Sequence, residues 1–201
     1  MDATSRLPLL SRERLKSEEQ KHLFDKIVSS RSQLLDHSEL FAPVGDAEER
    51  EEGLRGPWNA QVTSPGIGKH LEQLADSIRK CNALEKRQTE VAILVVAAHW
   101  ESDYEWNAHS QFAVKAGVDH SSLERIKRLC PPSDLENILK ADELAIYKLA
   151  LELVQTKHVS DKTYEETKGA LSGCDRKMVD LCFSISCYMA ISCILNMFDV
   201  K

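Results

Sequence analysis

Eight consecutive apolar residues, 91–98, run through the middle of a 201-residue chain. Such a run has to be buried, either as a strand inside a sheet or as a helix inside a core. Its valines favour a strand. A strand needs partners, however, and no other convincing strand is written in the sequence. Residues 91–98 are therefore read as a buried helix, and the chain as all-α.

The remaining segments agree. Residues 13–30 place Leu15, Leu23, Ile27 and Val28 at near-helical spacing, and residues 69–84 place Leu71, Leu74, Ala75, Ile78 and Cys81 on one stripe. Ser102 or Asp103 suits the cap of a helix running to about Gly117, a natural C-terminal stop. Ser121-Ser122-Leu123-Glu124 has capping-box spacing, Pro131-Pro132 ends the short helix that follows, and Ser133 to Glu136 opens another. Residues 142–157 are periodic through Leu144, Tyr147, Leu151 and Val154. A helix opened by Ser160-Asp161 stops near Gly173, and the last helix covers 176–198. The length fits one domain, 1–201, with a loop inserted at about 36–56. Pro43, Gly45, Gly53 and Gly56 break that loop, and the charge run at 46–52 reads as solvated. Further breaks are expected at Gly56-Pro57-Trp58-Asn59 and Ser64-Pro65-Gly66.

Composition narrows the function classes. The formal charge of -6, with no basic stripe, argues against a nucleic-acid partner. Apolar content of 42% and charged content of 29% are those of a soluble globular protein. The first residues lack the apolar core of a signal peptide. Cys81, Cys130, Cys174, Cys182, Cys187 and Cys193 form no Cys-x-x-Cys pair and have no zinc-finger spacing, which suits reduced thiols in the cytoplasm. Residues 181–198 carry no charge and reach the length of a membrane span. Three serines, an asparagine and the charges at Asp199 and Lys201 point instead to a helix in the domain core or in a subunit interface.

The chemistry gathers just beyond the apolar run. Glu105 and His109 are four residues apart, on one helical face. A carboxylate beside an imidazole favours the imidazolium, and apolar surroundings oppose it, a balance suited to acid–base work. Glu90 begins the preceding helix and meets His109 only if the two helices pair antiparallel in the right register. Plainer readings stand beside these: Glu105 and His109 as a surface ion pair, Tyr104 and Trp106 as core aromatics, and His99 as a structural histidine at a helix end. No tight His spacing marks a metal site, and no Gly-x-Ser-x-Gly elbow is present.

The segment from Glu90-Val91-Ala92-Ile93-Leu94 to Tyr104-Glu105-Trp106-Asn107-Ala108-His109, followed by Ala116-Gly117, resembles the carboxymuconolactone decarboxylase family of the alkylhydroperoxidase-D-like superfamily. Arg6-Leu7-Pro8, residues 15–20, Gly56 to Asn59, Ser64-Pro65 and Leu195 to Phe198 extend the likeness over most of the chain. The resemblance implies an all-helical fold that assembles as a homo-oligomer, a trimer or hexamer. It implies that Glu90 and His109 share a proton-relay site. In the peroxidase branch a Cys-x-x-Cys lies between such residues; here those positions hold Ser102 and Glu105. Without a thiolate, thiol-based peroxide reduction is not expected. The implied activity is decarboxylation of an unsaturated lactone or enolisable carboxylic acid, with no cofactor and a small-molecule substrate. His109 would be the general acid, Glu90 its partner and Glu105 a tuning group. His99, Tyr104, Trp106, Trp58 and Asn59 would contact substrate. The same equipment also suits isomerisation, dehydration or cyclisation of a polyketide-like substrate, and a non-catalytic oligomer of this fold is a further reading.

Overall fold

The computed structural model describes residues 5–44 and 51–200, which form ten α-helices and one two-stranded sheet. They divide into two compact units, one of residues 1–76 and 194–201, the other of residues 77–193.

In the first unit a 3₁₀ turn (Arg12–Arg14) precedes α1 (Glu18–Arg31). The helix starts later than its apolar spacing suggests. Leu15 is extended, and Ser17 and Gln20 close a reciprocal capping box that fixes the start at Glu18. The stretch expected as a loop carries α2 (His37–Leu40) and a hairpin of β1 (Phe41–Val44) and β2 (Glu51–Leu54), with Phe41 opposite Leu54. Residues 46–50 of the charge run lie outside the described residues; Glu51 and Glu52 belong to β2. Pro43 and Gly53 look like breakers but serve the hairpin. Ala42 and Val44 turn inward while Pro43 stays exposed. A Cβ on Gly53 would sit 2.9 Å from Val44 Cγ2 and 3.0 Å from the Leu10 carbonyl.

Pro57 and Pro65, read as breaks, instead open α3 (Pro57–Thr63) and α4 (Pro65–Cys81). The first helical position has an N–H to spare, so proline is at home there. At Gly68 a Cβ would stand 2.2 Å from the Gln61 carbonyl oxygen, so only glycine lets α3 and α4 approach this closely. α1 packs on α3 over a core that includes Leu23, Ile27, Leu54 and Val62. Arg31 on α1 meets Glu72 on α4 at 2.6 Å, with both side chains under 10% exposed. Burial holds the Glu72 carboxyl above its ordinary range despite that arginine.

The second unit is built around α5 (Lys86–His99). Every residue from Val91 to Ala97 is at most 1% exposed, so the apolar run is the buried helix expected. α5 packs against α6 (Asp103–Lys115), α7 (His120–Lys127) and α8 (Ala141–Thr156). Arg87 ties α5 to α8 through both Glu143 oxygens, at 2.5 and 3.0 Å, and also donates to the Gly117 carbonyl. Gly117 takes φ +93° where α6 stops.

Two helix starts differ from expectation. α7 is capped by Asp119 rather than Ser121: its carboxylate accepts from the Ser122 N–H at 2.9 Å and from both serine hydroxyls. Those bonds hold the Asp119 pKa far below the carboxylate range. Residues 133–136 form no α-helix. Pro131 is extended, a 3₁₀ turn (Pro132–Asp134) follows, and α8 begins only at Ala141, where Glu143 accepts from the Lys140 N–H. α9 (Asp161–Ala170) starts at a Ser160 cap, and α10 (Asp175–Met197) closes the order. By length and composition α10 could cross a membrane, with mean hydropathy 1.9 over an 18-residue window of which 44% is buried. Within the second unit it buries Leu181, Ser184, Ile185 and Cys187.

Candidate active site

A tight reversal after α5 returns the chain along that helix. The Trp100 and Ser102 N–H groups donate back to Val96 and Ala97, both at 2.9 Å, while Glu101 adopts φ +50°. α6 then starts at Asp103 and packs along α5. This geometry supplies the antiparallel pairing that the sequence left open, and its register brings Glu90 to His109.

His109 lies between two carboxylates. Its Nδ1 is 2.8 Å from Glu90 Oε2, and its Nε2 is 3.3 Å from Glu105 Oε2. The three side chains are 11%, 15% and 5% exposed for His109, Glu90 and Glu105 respectively, so the cluster is largely shielded from water. Burial pushes the imidazole toward its neutral form, but the charge of Glu90 and the hydrogen bonds to both carboxylates outweigh it and raise the pKa to about 10. At neutral pH His109 is an imidazolium that donates from both nitrogens. The plainer reading of Glu105 and His109 as a surface pair does not describe this buried arrangement.

Two aromatic rings complete the surroundings. Tyr188 of α10 meets the imidazole edge-on, with centroids 4.7 Å apart, and Phe112 does so at 5.6 Å. Neither was singled out from sequence. Phe112 was in reach, three residues beyond His109 on the same helical face. Tyr188 sits in the uncharged stretch of α10, far along the chain, and no local pattern marks it.

The other expected contacts are dispersed. His99 is exposed on the last turn of α5, nine residues from Glu90 and so about 13 Å along the axis. Tyr104 is half-buried on the first turn of α6. Trp106 is buried, with Lys127 Nζ 5.2 Å above its ring, and lines a groove beside α7. Trp58 and Asn59 belong to the first unit. There the Arg31 guanidinium lies 5.9 Å over Trp58, while Asn59 accepts from the Leu10 N–H and donates to the Pro8 carbonyl. Ser102, the first of the two positions that the resemblance sets against the peroxidase-branch cysteines, is 2% exposed at the α6 N-cap, and its hydroxyl has no hydrogen-bond partner among the described residues. None of the six cysteines lies on α5 or α6.

No protein-family model matches the chain, and no curated protein matches it in sequence. Solved structures do match its fold. An alkylhydroperoxidase AhpD core, described as an uncharacterized peroxidase-related protein from Ralstonia eutropha JMP134, superposes with a TM-score of 0.72 at 12% identity, over 98% of this chain and 92% of that one. An uncharacterized peroxidase-related protein from Silicibacter sp. TM1040 gives 0.69 at 13% identity, over 98% and 91%. The chain therefore has an all-α, AhpD-like fold.

Proposed function

We propose that this chain is a cofactor-independent acid–base enzyme of the decarboxylase type, acting on a small unsaturated lactone or enolisable carboxylic acid. The reading is carried by one observation: a buried imidazole held between carboxylates from two helices. When a β,γ-unsaturated or β-keto-type carboxylate loses carbon dioxide, the bonding pair moves into the conjugated carbonyl as a dienolate or enolate. Carbon then takes a proton. His109 is the general acid for that step. Its Nδ1 is the anchored side, at 2.8 Å from Glu90. Its Nε2 contact of 3.3 Å is longer than the usual charge-assisted bond, so this proton is the more readily given up. Glu90 stabilises the imidazolium before transfer, and Glu105 receives the ring again when it is reprotonated. The sequence-based expectations of a cytoplasmic protein and of trimeric or hexameric assembly belong to the same proposal.

A second reading rests on charge. One imidazolium against two carboxylates leaves the cluster net negative, which opposes a substrate carboxylate and suits a neutral enolisable carbonyl. Isomerisation, dehydration or ring closure would then replace decarboxylation. Metabolite profiling of a strain lacking the protein, followed by assay of the accumulated compound, separates the two by carbon dioxide release. In either case His109→Ala and Glu90→Gln are expected to lower turnover by about 100-fold or more. Full turnover in both variants would rule out the assigned chemistry.

A further inference from the structure

Trp106 follows Glu105 directly in sequence, yet its indole lines a separate feature, a groove of about 500 Å³ between α6 and α7. That size is in the range of small-molecule sites. Val114 and Leu123 add apolar surface, while Lys115, Lys127 and His120 stand against one carboxylate, Glu124. A cationic rim is out of keeping with a chain of net charge -6. The two ammonium groups rest on aromatic faces: Lys127 Nζ is 5.2 Å from the Trp106 ring and Lys115 Nζ is 5.6 Å from the Phe112 ring. Neither lysine has an ion pair among the described residues. An incoming carboxylate can therefore approach either ammonium without displacing a protein anion.

We propose that this groove binds an amphipathic monocarboxylate of small-molecule size. Its apolar body lies against Trp106, Val114 and Leu123, and its carboxylate faces Lys115 and Lys127. The lining separates this site from the acid–base cluster, where His109 stands between Glu90 and Glu105. The groove shares α6 with that cluster but uses the next flank of the helix, and the proposal does not depend on the proposed reaction.

The test is calorimetric titration of the full chain with 2-naphthoate and with its methyl ester at low ionic strength. The acid is expected to bind about tenfold more tightly than the ester. Lys115→Gln combined with Lys127→Gln is expected to remove that preference while leaving ester affinity unchanged. Both lysines are exposed, so the thermal melt of this variant should match that of the parent. His109→Ala is expected to leave acid binding intact. Equal affinity for acid and ester, no binding of either, or a preference that survives in the double lysine variant overturns the proposal. So does loss of acid binding in a folded His109→Ala protein, which would place the ligand at the acid–base cluster instead.

Discussion

The titration of His109 gives a stability signature that needs no substrate. The folded protein holds the imidazole proton to about pH 10, whereas an unfolded histidine releases it near 6.5. A raised folded-state pKa means that the folded chain binds the proton more tightly. The stabilisation is therefore complete below pH 6.5 and is lost as pH rises through about 10. Across that window the folded state carries one extra proton, so stability falls with rising pH at a limiting slope of about 1.4 kcal/mol per pH unit. Urea unfolding of the parent and of His109→Gln, from pH 6 to 10.5, reads this directly. The parent is expected to be the more stable at pH 6, with the gap closing toward pH 10. Thiols and lysines titrate in the same range in both proteins and cancel in the difference. Glu105→Gln keeps the Glu90 contact and serves as a milder companion, with a narrower window. Parallel curves for the parent and both variants would show that His109 is not a buried imidazolium, and the reasoning would fail.

Three further outcomes follow from particular contacts. If His109 is the general acid, activity should persist into alkaline pH and decline only toward 10, and Glu105→Gln should move that decline to lower pH; a decline centred near 6.5 in the parent would contradict the geometry. Ser102→Cys with Glu105→Cys places a Cys-x-x-Cys on the first turn of α6, where the helix N-terminus favours thiolate; this variant should form a disulfide and consume hydroperoxide with a thiol reductant, and a pair that stays reduced under mild oxidation would count against the alignment of those positions. Gly68→Ala drives a methyl into the Gln61 carbonyl and should cost about 3 kcal/mol or more in chemical denaturation, whereas Gly66→Ala, which meets nothing within 4 Å, should cost far less.

The parts of this structure that depend on local pattern were open to the sequence. Residues 91–98 could be assigned because an apolar run without partner strands has one remaining home. Glu105 and His109 could be paired because helical spacing alone puts them together. Glu90 was different. Its approach to Nδ1 depends on the α5–α6 register, which is set by the reversal at Glu101 and by packing against α7 and α8, and no single segment encodes it. The hairpin was hidden because Pro43 and Gly53 carry the residue types of breaks, and their fitness for an edge strand and for a close backbone contact emerges only once Leu10 and Val44 are in place. Tyr188 was hidden for a similar reason, since its role depends on which face of α10 meets α6.

α5 has one property that bears on how this molecule can change over time. The helix whose apolar middle anchors its unit also carries Glu90, four residues after its first. A hydrogen bond of 2.8 Å has a tolerance of a few tenths of an ångström. A slide of one residue along the helix axis is about 1.5 Å. The core thus acts as a ruler for the Glu90–His109 contact: a volume change among Val91 to Ala97 that shifts α5 along its axis loosens that contact even when the fold survives. If the proposed chemistry holds, drift in these apolar positions is constrained by proton transfer as much as by stability.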